Sequence, residues 1–192
     1  DVLEQGIKEA HERNKKFFLT VNTLPHNSKL KTFVSDMEPL IAMKPDALIM
    51  ADPGLIMTVR EKWPEMPIHL SVQANTTNYW GVKFWQNIGI ERIILSRELS
   101  MEEIAEIRQE CPDIELEVFI HGALCIAYSG RCLLSGYFNH RDPNQGTCTN
   151  SCRWDYKVHN AVESDAGDAQ LLQGFNFEKA QEEANQNFEG IN

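Results

Sequence analysis

Five short apolar runs divide the first 120 residues at regular intervals, and each run is rich in Val, Ile, Leu or Phe. Short runs rich in these residues are typical of strands that are buried on both faces of a parallel sheet. The sequence therefore predicts strands at Phe17–Val21, Ala47–Met50, Ile68–Val72, Arg92–Leu95 and Leu116–Ile120.

The segments between these runs carry the periodicity and the boundary signals of helices. One helix is expected where six apolar residues recur at helical spacing: Leu30, Phe33, Val34, Met37, Leu40 and Ile41. Pro39 lies within this pattern and is expected to kink or divide the helix. Asp52 before Pro53 predicts a capped helix start, and Ser100 with Glu103 predicts a capping box.

The predicted strands recur about every 20 to 30 residues with a helix between them, as in a parallel α/β sheet. Five such units fit either an open doubly wound sheet or part of an eight-stranded barrel. In both folds, sites are built at the carboxyl ends of the strands, where this chain has polar residues: Asn22, Asp52, Gln73, Asn75, Ser96, Arg97, Glu98 and His121. Asp52 and Asn75 are interpreted first as helix caps. A surface ion pair explains Arg97 and Glu98 equally well.

The composition is that of a globular domain, with 192 residues, 42% hydrophobic and 24% charged. No apolar run approaches the roughly 18 residues of a membrane span, and no signal peptide is visible. The chain begins at Asp1 within a helical pattern, so we expect a piece of a longer protein. A folded part is expected over residues 1–158, followed by an acidic linker or poorly ordered segment over residues 159–192.

Four of the five cysteines lie within 28 positions, in the pattern C-x6-C-x15-C-x3-C. Without a secretory signal, this set argues against a disulfide framework. Only the last pair has the spacing of a zinc knuckle, but the turn signal Ser129–Gly130 can bring the first pair together. An iron–sulfur cluster, a zinc site, or reduced structural or nucleophilic thiols all remain open for Cys125, Cys132, Cys148 and Cys152.

Two further residues near this group have a simpler interpretation. Cys111 follows Ile107 by four residues at the end of a predicted helix, so it is interpreted as a buried structural cysteine. His121 follows a predicted strand directly before the cysteines, where it can be an acid–base group, a ligand or a packed residue.

The charge of the chain limits its partners. A net charge of −10 argues against non-specific nucleic-acid binding through a basic surface. The region around the cysteines is more basic than the whole chain, because it contains Arg131, His140, Arg141 and Arg153.

The segment Glu117–Ser135 resembles the signature of the collagenase-like peptidases, peptidase family U32. The matching residues are Glu117, Phe119, Gly122, Ala123, Leu124, Cys125, Gly130, Cys132, Leu134 and Ser135. Asp46–Met57, His69–Asn75, Ile94–Leu99 and Ser129–Trp154 are similar to the branch of this family that hydroxylates uridine 34 of tRNA. The resemblance extends from Asp1 to about Val158.

This resemblance implies a fold and an activity. The family fold is a TIM-type (β/α) barrel with the signature at its seventh strand, so this α/β chain would hold strands three to seven of eight. The implied activity is that of a cytoplasmic enzyme that converts wobble uridine 34 of tRNA to 5-hydroxyuridine without molecular oxygen. Prephenate, a small dicarboxylate, is the implied co-substrate, and no membrane partner is expected.

The resemblance also implies a 4Fe-4S iron–sulfur cluster. Cys125 and Cys132 match the family signature, and Cys148 and Cys152 match the motif of the branch. One of the last two can be replaced by a cysteine beyond residue 192.

An anticodon loop presents unstacked bases and phosphates, which proteins bind with aromatic and cationic side chains. Tyr128, Arg141 and Arg153 are therefore predicted to bind substrate. Arg97, His121 and Arg131 are predicted to be catalytic and to face one cavity with the cysteines. In the simpler alternative, each arginine pairs with a local carboxylate and serves stability only.

The alternative activity is that of a cysteine or metal-dependent peptidase. In the cysteine version, Cys125 would be the nucleophile and His121 its base. A nucleophile does not require four grouped cysteines, which favours hydroxylation.

Overall fold

The computed structural model of the protein describes residues 2–122, 125–157, 161–165, 167 and 169–171. The chain forms two compact units, Asp1–Cys152 and Arg153–Asn192. Helices and strands alternate through the first unit as α1 (Val2–Glu12), β1 (Phe18–Val21), α2 (Asn27–Ala42), β2 (Ala47–Met50), α3 (Pro53–Lys62), β3 (Ile68–Leu70), α4 (Tyr79–Asn87), β4 (Arg92–Ile94), α5 (Met101–Glu110), β5 (Glu115–Glu117) and α6 (Leu134–Asn139). Short 3-10 helices cover Val72–Ala74, Pro143–Gln145 and Ser151–Arg153.

The five strands β1 to β5 form one parallel sheet in which each strand pairs with the next along the chain. A doubly wound sheet reverses its strand order at one point, and no such reversal occurs among the described strands. The predicted strand at Leu116–Ile120 is wrong in its bounds, because β5 ends at Glu117. Val118, Phe119 and Ile120 leave the sheet and are exposed, so their apolar character does not reflect burial within this chain.

The hydrophobic core lies between one face of the sheet and the helices. Alternate strand residues point to this face, and Leu48, Met50, Ile68, Leu70 and Ile93 are fully buried there. The helices contribute side chains such as Ile56, Val59, Val82 and Ile107. The predicted helix-bearing α/β architecture is therefore confirmed.

The opposite face of the sheet carries both polar and apolar side chains. Ile49, His69, Arg92 and Glu115 are paired across neighbouring strands and therefore form one row on that face. Arg92 makes an ion pair of 2.6 Å with Glu115. Phe18 on β1 reaches the ring of His69 on β3, with ring centroids 4.6 Å apart. This face thus combines an aromatic contact with a buried imidazole.

Burial of His69 makes the stability of the protein depend on pH. Desolvation, assisted by the charge of Arg92, lowers the pKa of His69 to about 4. In the unfolded chain the pKa is about 6.5, so acid protonates the unfolded state first and favours it. The free energy of unfolding of the full-length protein should fall by about 2 kcal/mol between pH 7 and pH 5 through this group.

Urea denaturation at both pH values measures this effect. His69→Gln, which cannot titrate, should remove that part of the pH dependence. An unaltered pH dependence in His69→Gln would show that His69 is not the titrating group.

Helix boundaries follow the capping chemistry of the sequence. Asp52 caps α3 by accepting a hydrogen bond from the Leu55 amide at 2.8 Å, and Ser100 and Glu103 form the predicted capping box of α5. The predicted division of a helix at Pro39 is wrong, because α2 continues through Pro39 to Ala42. Pro39 lies in the last turn, where little helix remains to be disrupted. None of the described helices has the length and apolar character needed to cross a membrane.

The second unit contains an antiparallel hairpin of β6 (Ala161–Glu163) and β7 (Ala169–Leu171). A hydrogen bond of 2.8 Å from the Gly167 amide to the Ser164 carbonyl closes the turn. Acidic composition predicted a linker or poorly ordered segment over 159–192 and gave no sign of this hairpin. The remainder of that prediction lies outside the described residues.

Candidate active site at the carboxyl edge of the sheet

The segment 125–132, which contains Cys125 and Cys132, packs against the loop after β3 through a tight turn at Gly130. The Arg131 amide donates to the Tyr128 carbonyl at 3.0 Å, and Gly130 has a φ of +71° at the third position of this turn. A Cβ at Gly130 would overlap the carbonyl oxygen of Gln73 and lie 3.2 Å from its carbonyl carbon. Only glycine allows so close a contact between the two backbones.

The adjacent Ser129 fastens the same segment to the loop after β4. Ser129 is 1% exposed, and its amide donates to the Glu98 carboxylate at 3.0 Å. The Arg97 guanidinium donates to the Ser129 hydroxyl at 3.2 Å. Glu98 and Arg97 therefore hold the cysteine segment in place, and among the described residues no carboxylate forms an ion pair with Arg97. The predicted simple ion pair of Arg97 with a neighbouring acid is absent from this part of the chain.

These contacts enclose a cavity of about 290 Å³ beside the first cysteine. Its lining consists of Arg97, Glu98, Cys125, Ile126, Ala127 and Tyr128. Cys125 is partly exposed, so its thiol can be reached from solvent. The cavity thus places a thiol, a guanidinium, a carboxylate and an aromatic ring around one small volume.

Hydrogen bonds between side-chain amides and hydroxyls link the loops that follow different strands. Asn22, after β1, donates to the Ser71 hydroxyl at 3.1 Å. Ser96, after β4, donates to the Asn75 side-chain oxygen at 3.2 Å. Asn75 also has a left-handed backbone as the residue that follows the 3-10 helix Val72–Ala74, and its amide donates to the Val72 carbonyl, so it is the C-terminal cap of that short helix. The polar residues predicted at the strand ends therefore form cross-strand contacts.

Helix α6 is fastened to the segment that contains the last two cysteines. Ser135 and Asn139 are four residues apart and share one helix face. The Ser135 and Thr149 hydroxyls are 2.9 Å apart, and Asn139 donates to Thr149 at 2.9 Å and to Ser151 at 2.8 Å. This buried hydroxyl cluster links the family signature with the Cys148–Cys152 turn.

A third connection returns the segment to the first strand. The Asn144 side chain donates to the Cys132 carbonyl at 2.9 Å. The Asn144 carbonyl accepts from the Leu24 amide at 3.0 Å, and Leu24 lies shortly after β1. The cysteine segments are therefore held by the loops after β1, β3 and β4, which all lie at the carboxyl edge of the sheet.

The structure does not gather the four predicted ligands. Among the described residues, which include all four cysteines, no three Cys, His, Asp or Glu side chains are grouped so that they could hold a metal ion. Cys125 faces the cavity with Arg97, whereas the Cys148 sulfur accepts a hydrogen bond from the Asn150 amide at 3.4 Å. The donor chemistry fits a thiolate-bound cluster, but this placement of the donors does not. The Ser129–Gly130 turn itself is present, and the convergence of Cys125 with Cys132 at this turn stays a prediction.

The other predicted site residues are divided between the cavity and the surface. Arg97 and Tyr128 line the cavity with Cys125. His121 and Arg131 are exposed and are not among its lining residues, and the shared cavity predicted for these two stays a prediction. Arg141 is exposed in the first unit, and Arg153 is exposed in the second unit. Cys111 is 2% exposed, as predicted, and burial raises the pKa of its thiol.

A larger cavity, of about 560 Å³, lies at the opposite edge of the sheet. It is lined by residues that precede or begin the strands, among them Lys16, Asp46, His69 and Glu91. In parallel α/β folds, whether open or closed, binding and catalytic sites lie at the carboxyl ends of the strands. We therefore assign the candidate site to the smaller cavity beside Cys125.

A consecutive parallel sheet with a cysteine-rich segment fastened across its carboxyl edge defines a class of α/β proteins that carry their chemistry on the loops after the strands. Within this class, the chain belongs to peptidase family U32, whose model matches residues 1–188. The family assignment made from the signature Glu117–Ser135 is thus confirmed.

Several relatives in this family modify RNA. The chain is 67% identical over 165 residues to the tRNA hydroxylation protein P of Escherichia coli and to that of Haemophilus influenzae. The match covers 86% of this chain and 36% of each relative. The 23S rRNA 5-hydroxycytidine C2501 synthase of Escherichia coli is 36% identical over 78% of this chain and 22% of that protein. The chain thus spans about a third of the length of the tRNA relatives.

One solved structure, titled as that of the U32 peptidase Mk0906, has a similar fold. The TM-score is 0.52 at 17% identity, over 60% of this chain and 50% of that structure. At this identity the likeness supports the α/β fold alone.

Proposed function

We propose that the full-length protein is an RNA hydroxylase that converts wobble uridine 34 of tRNA to 5-hydroxyuridine in the cytoplasm. The observation that carries this proposal is the 67% identity to two tRNA hydroxylation proteins over 86% of the chain. The 23S rRNA relative modifies a pyrimidine at the same ring position, which supports hydroxylation as the shared chemistry.

We further propose that the sheet is an arc of a TIM-type barrel that the remainder of the full-length protein completes. Five parallel strands in consecutive order, with helices on one face, agree with such an arc. In this arrangement the row His69, Arg92 and Glu115 faces the barrel interior. Strands β1 and β5 would then pair with strands contributed by the rest of the protein.

An iron–sulfur cluster is the cofactor proposed for the cysteine segments. Its support is the donor set, because Cys125, Cys132, Cys148 and Cys152 are all free thiols on connected segments. For all four cysteines to bind one cluster, the two segments that carry them would have to be arranged differently from this structure. The cluster would supply redox chemistry, and we derive no reaction step through it.

The residues around the Cys125 cavity are suited to bind a small carboxylate next to a nucleobase of the RNA. The Arg97 guanidinium can hold a carboxylate in a bidentate pair, which suits prephenate as the proposed co-substrate. Its Nε atom is buried and has no hydrogen-bond partner among the described residues. Tyr128 is 64% exposed at the same cavity and offers a ring face to a base.

No specific observation favours peptidase activity. A cysteine nucleophile requires a base within hydrogen-bonding reach. Arg97 and Glu98 are the charged residues that line the Cys125 cavity, and His121 is not among its lining residues. Glu98 is also engaged by the Ser129 amide.

Nucleoside analysis of tRNA from a strain that lacks the full-length gene tests the proposed function. We expect 5-hydroxyuridine at position 34 to disappear and to return when the wild-type gene is supplied. Unchanged 5-hydroxyuridine in the deletion strain, with no second copy of the gene present, would rule the function out.

Arg131→Ala in the full-length enzyme is expected to abolish wobble hydroxylation, because this exposed guanidinium is proposed to contact RNA phosphate beside the cysteines. Melting temperature and iron content should not change. Arg13→Ala, at an exposed residue directly after α1 that is paired with Glu9, is the matched control and should retain full activity. Normal hydroxylation in Arg131→Ala would remove Arg131 from the site, whereas loss of iron would make it a support for the cluster.

A further inference from the structure

The segment between the last strand of the sheet and the Cys148–Cys152 turn has an unusual charge. Residues 118–141 contain no Asp or Glu, although the chain has 28 acidic residues in 192. The same 24 residues contain Arg131, Arg141, His121 and His140. A stretch without acids in a chain of net charge −10 suits a polyanionic partner.

The same segment exposes aromatic rings. Phe119 is 60% exposed, Tyr137 is 80% exposed and Phe138 is 44% exposed. Tyr137 and Phe138 contact each other edge to face, with ring centroids 5.2 Å apart. Exposed rings among basic side chains are the combination that single-stranded nucleic acids bind, through base stacking and phosphate contacts.

The orientation of Tyr137 follows from the hydrogen bonds of α6. Ser135 and Asn139 hold one face of this helix against Thr149 and Ser151. Tyr137 lies two residues from each of them, about 200° around the helix, and so points away from the hydroxyl cluster. The helix is thus fixed on one side and presents a ring on the other.

We infer that Tyr137, Phe138 and Phe119, with Arg131 and Arg141, form an aromatic–basic surface that stacks unpaired bases of an RNA loop. This inference rests on the proposed function and extends it, because it assigns loop binding to α6 outside the Cys125 cavity. Tyr137 is the central stacking residue, since it is the most exposed of the three rings.

Helix α4 also exposes aromatic residues, but among the described residues this second surface lacks the unpaired basic side chains that RNA binding requires. Trp80 and Phe84 on α4 are 70% and 56% exposed. The nearby Lys83 is paired with Glu110 at 2.7 Å, so that surface has no free positive charge from this lysine. Trp80 therefore serves as a matched exposed aromatic without the expected RNA contact.

Fluorescence anisotropy of the full-length protein with a labelled RNA tests the inference. The probes are an anticodon stem–loop RNA and a blunt duplex with the same stem. Tyr137→Ala should weaken binding of the stem–loop at least about fivefold, the effect of losing one stacked base, and should leave duplex binding unchanged. Tyr137→Phe keeps the ring and should bind like the wild type, and so should Trp80→Ala.

Each outcome of this experiment is decisive. Equal stem–loop affinity of Tyr137→Ala and the wild type overturns the inference, and the proposed function stands if hydroxylation is also normal. Unchanged affinity with a lowered melting temperature in Tyr137→Ala also overturns it, because the ring then packs against the rest of the full-length protein. Failure of the wild type both to bind the stem–loop and to hydroxylate tRNA refutes the proposed function itself.

Discussion

Gly130→Ala in the full-length protein is expected to abolish hydroxylation. Alanine at a φ of +71° carries backbone strain of about 1–3 kcal/mol, and its Cβ would overlap the Gln73 carbonyl oxygen. The atoms nearest to this Cβ all belong to the Gln73 backbone, so no flexible side chain can move aside to make room. The turn must then separate from the loop after β3, which also breaks the contacts of Ser129 with Arg97 and Glu98.

Gly136→Ala is the matched control for this substitution. Gly136 lies in α6, and a Cβ there would meet no atom within 4 Å. This change should keep full activity and raise stability by up to about 1 kcal/mol, since alanine favours a helix interior over glycine. For both Gly130→Ala and Gly136→Ala, nucleoside analysis of tRNA measures the activity and thermal melting measures the stability. Normal activity in Gly130→Ala would show that the fastening of the turn to Gln73 is not required.

The second large effect concerns the cysteines. Cys125→Ser combined with Cys132→Ser is expected to remove bound iron and sulfide from anaerobically purified full-length protein, and to abolish hydroxylation. The reason is that serine does not replace a soft thiolate as a ligand of an iron–sulfur cluster. The broad absorption near 400 nm that we expect of the wild type should vanish in this variant.

Cys111→Ala provides the control for a lost thiol. Cys111 is buried at the end of α5, and its sulfur lies 3.8 Å from the Tyr79 carbonyl oxygen. We expect this variant to lose some stability and to retain its iron. Wild-type protein that contains one zinc and no iron, prepared without oxygen, would contradict the cluster. Retention of iron by the double serine variant would place the ligands elsewhere in the full-length protein.

Much of the sheet could be predicted because buried parallel strands are short runs rich in apolar residues. The strand Ala47–Met50 has its predicted bounds, since every residue from Ala47 to Met50 lies between two neighbouring strands and is largely buried. The end of β5 could not be predicted in the same way. Phe119 and Ile120 are as apolar as strand residues, but they are exposed in this chain. Hydrophobicity alone does not distinguish a buried residue from one that meets a partner.

The sequence predicts where the candidate site lies on the sheet, but it does not predict the long-range contacts that hold the site together. Polar residues after each strand and the cysteine pattern pointed to the carboxyl edge, where the segment is fastened. Ser129–Gly130 is predictable as a turn from its sequence. Its partners are not, because Glu98 lies 31 residues before Ser129 and Gln73 lies 57 residues before Gly130, separations that local patterns cannot reveal. Asn139 and Asn144 carry no chemical motif, so their bridging roles emerged only from the fold.

The most direct test of the whole account joins the cysteine site to the RNA product in one strain. Position 34 of tRNA should be analysed by mass spectrometry when the deletion strain carries the wild-type gene, the Cys125→Ser/Cys132→Ser gene or the Cys111→Ala gene. The account predicts 5-hydroxyuridine with the wild type and with Cys111→Ala, and none with the double serine variant. Full 5-hydroxyuridine with the double serine variant, at equal protein level, would contradict the claim that this cysteine segment is the centre of an RNA hydroxylase.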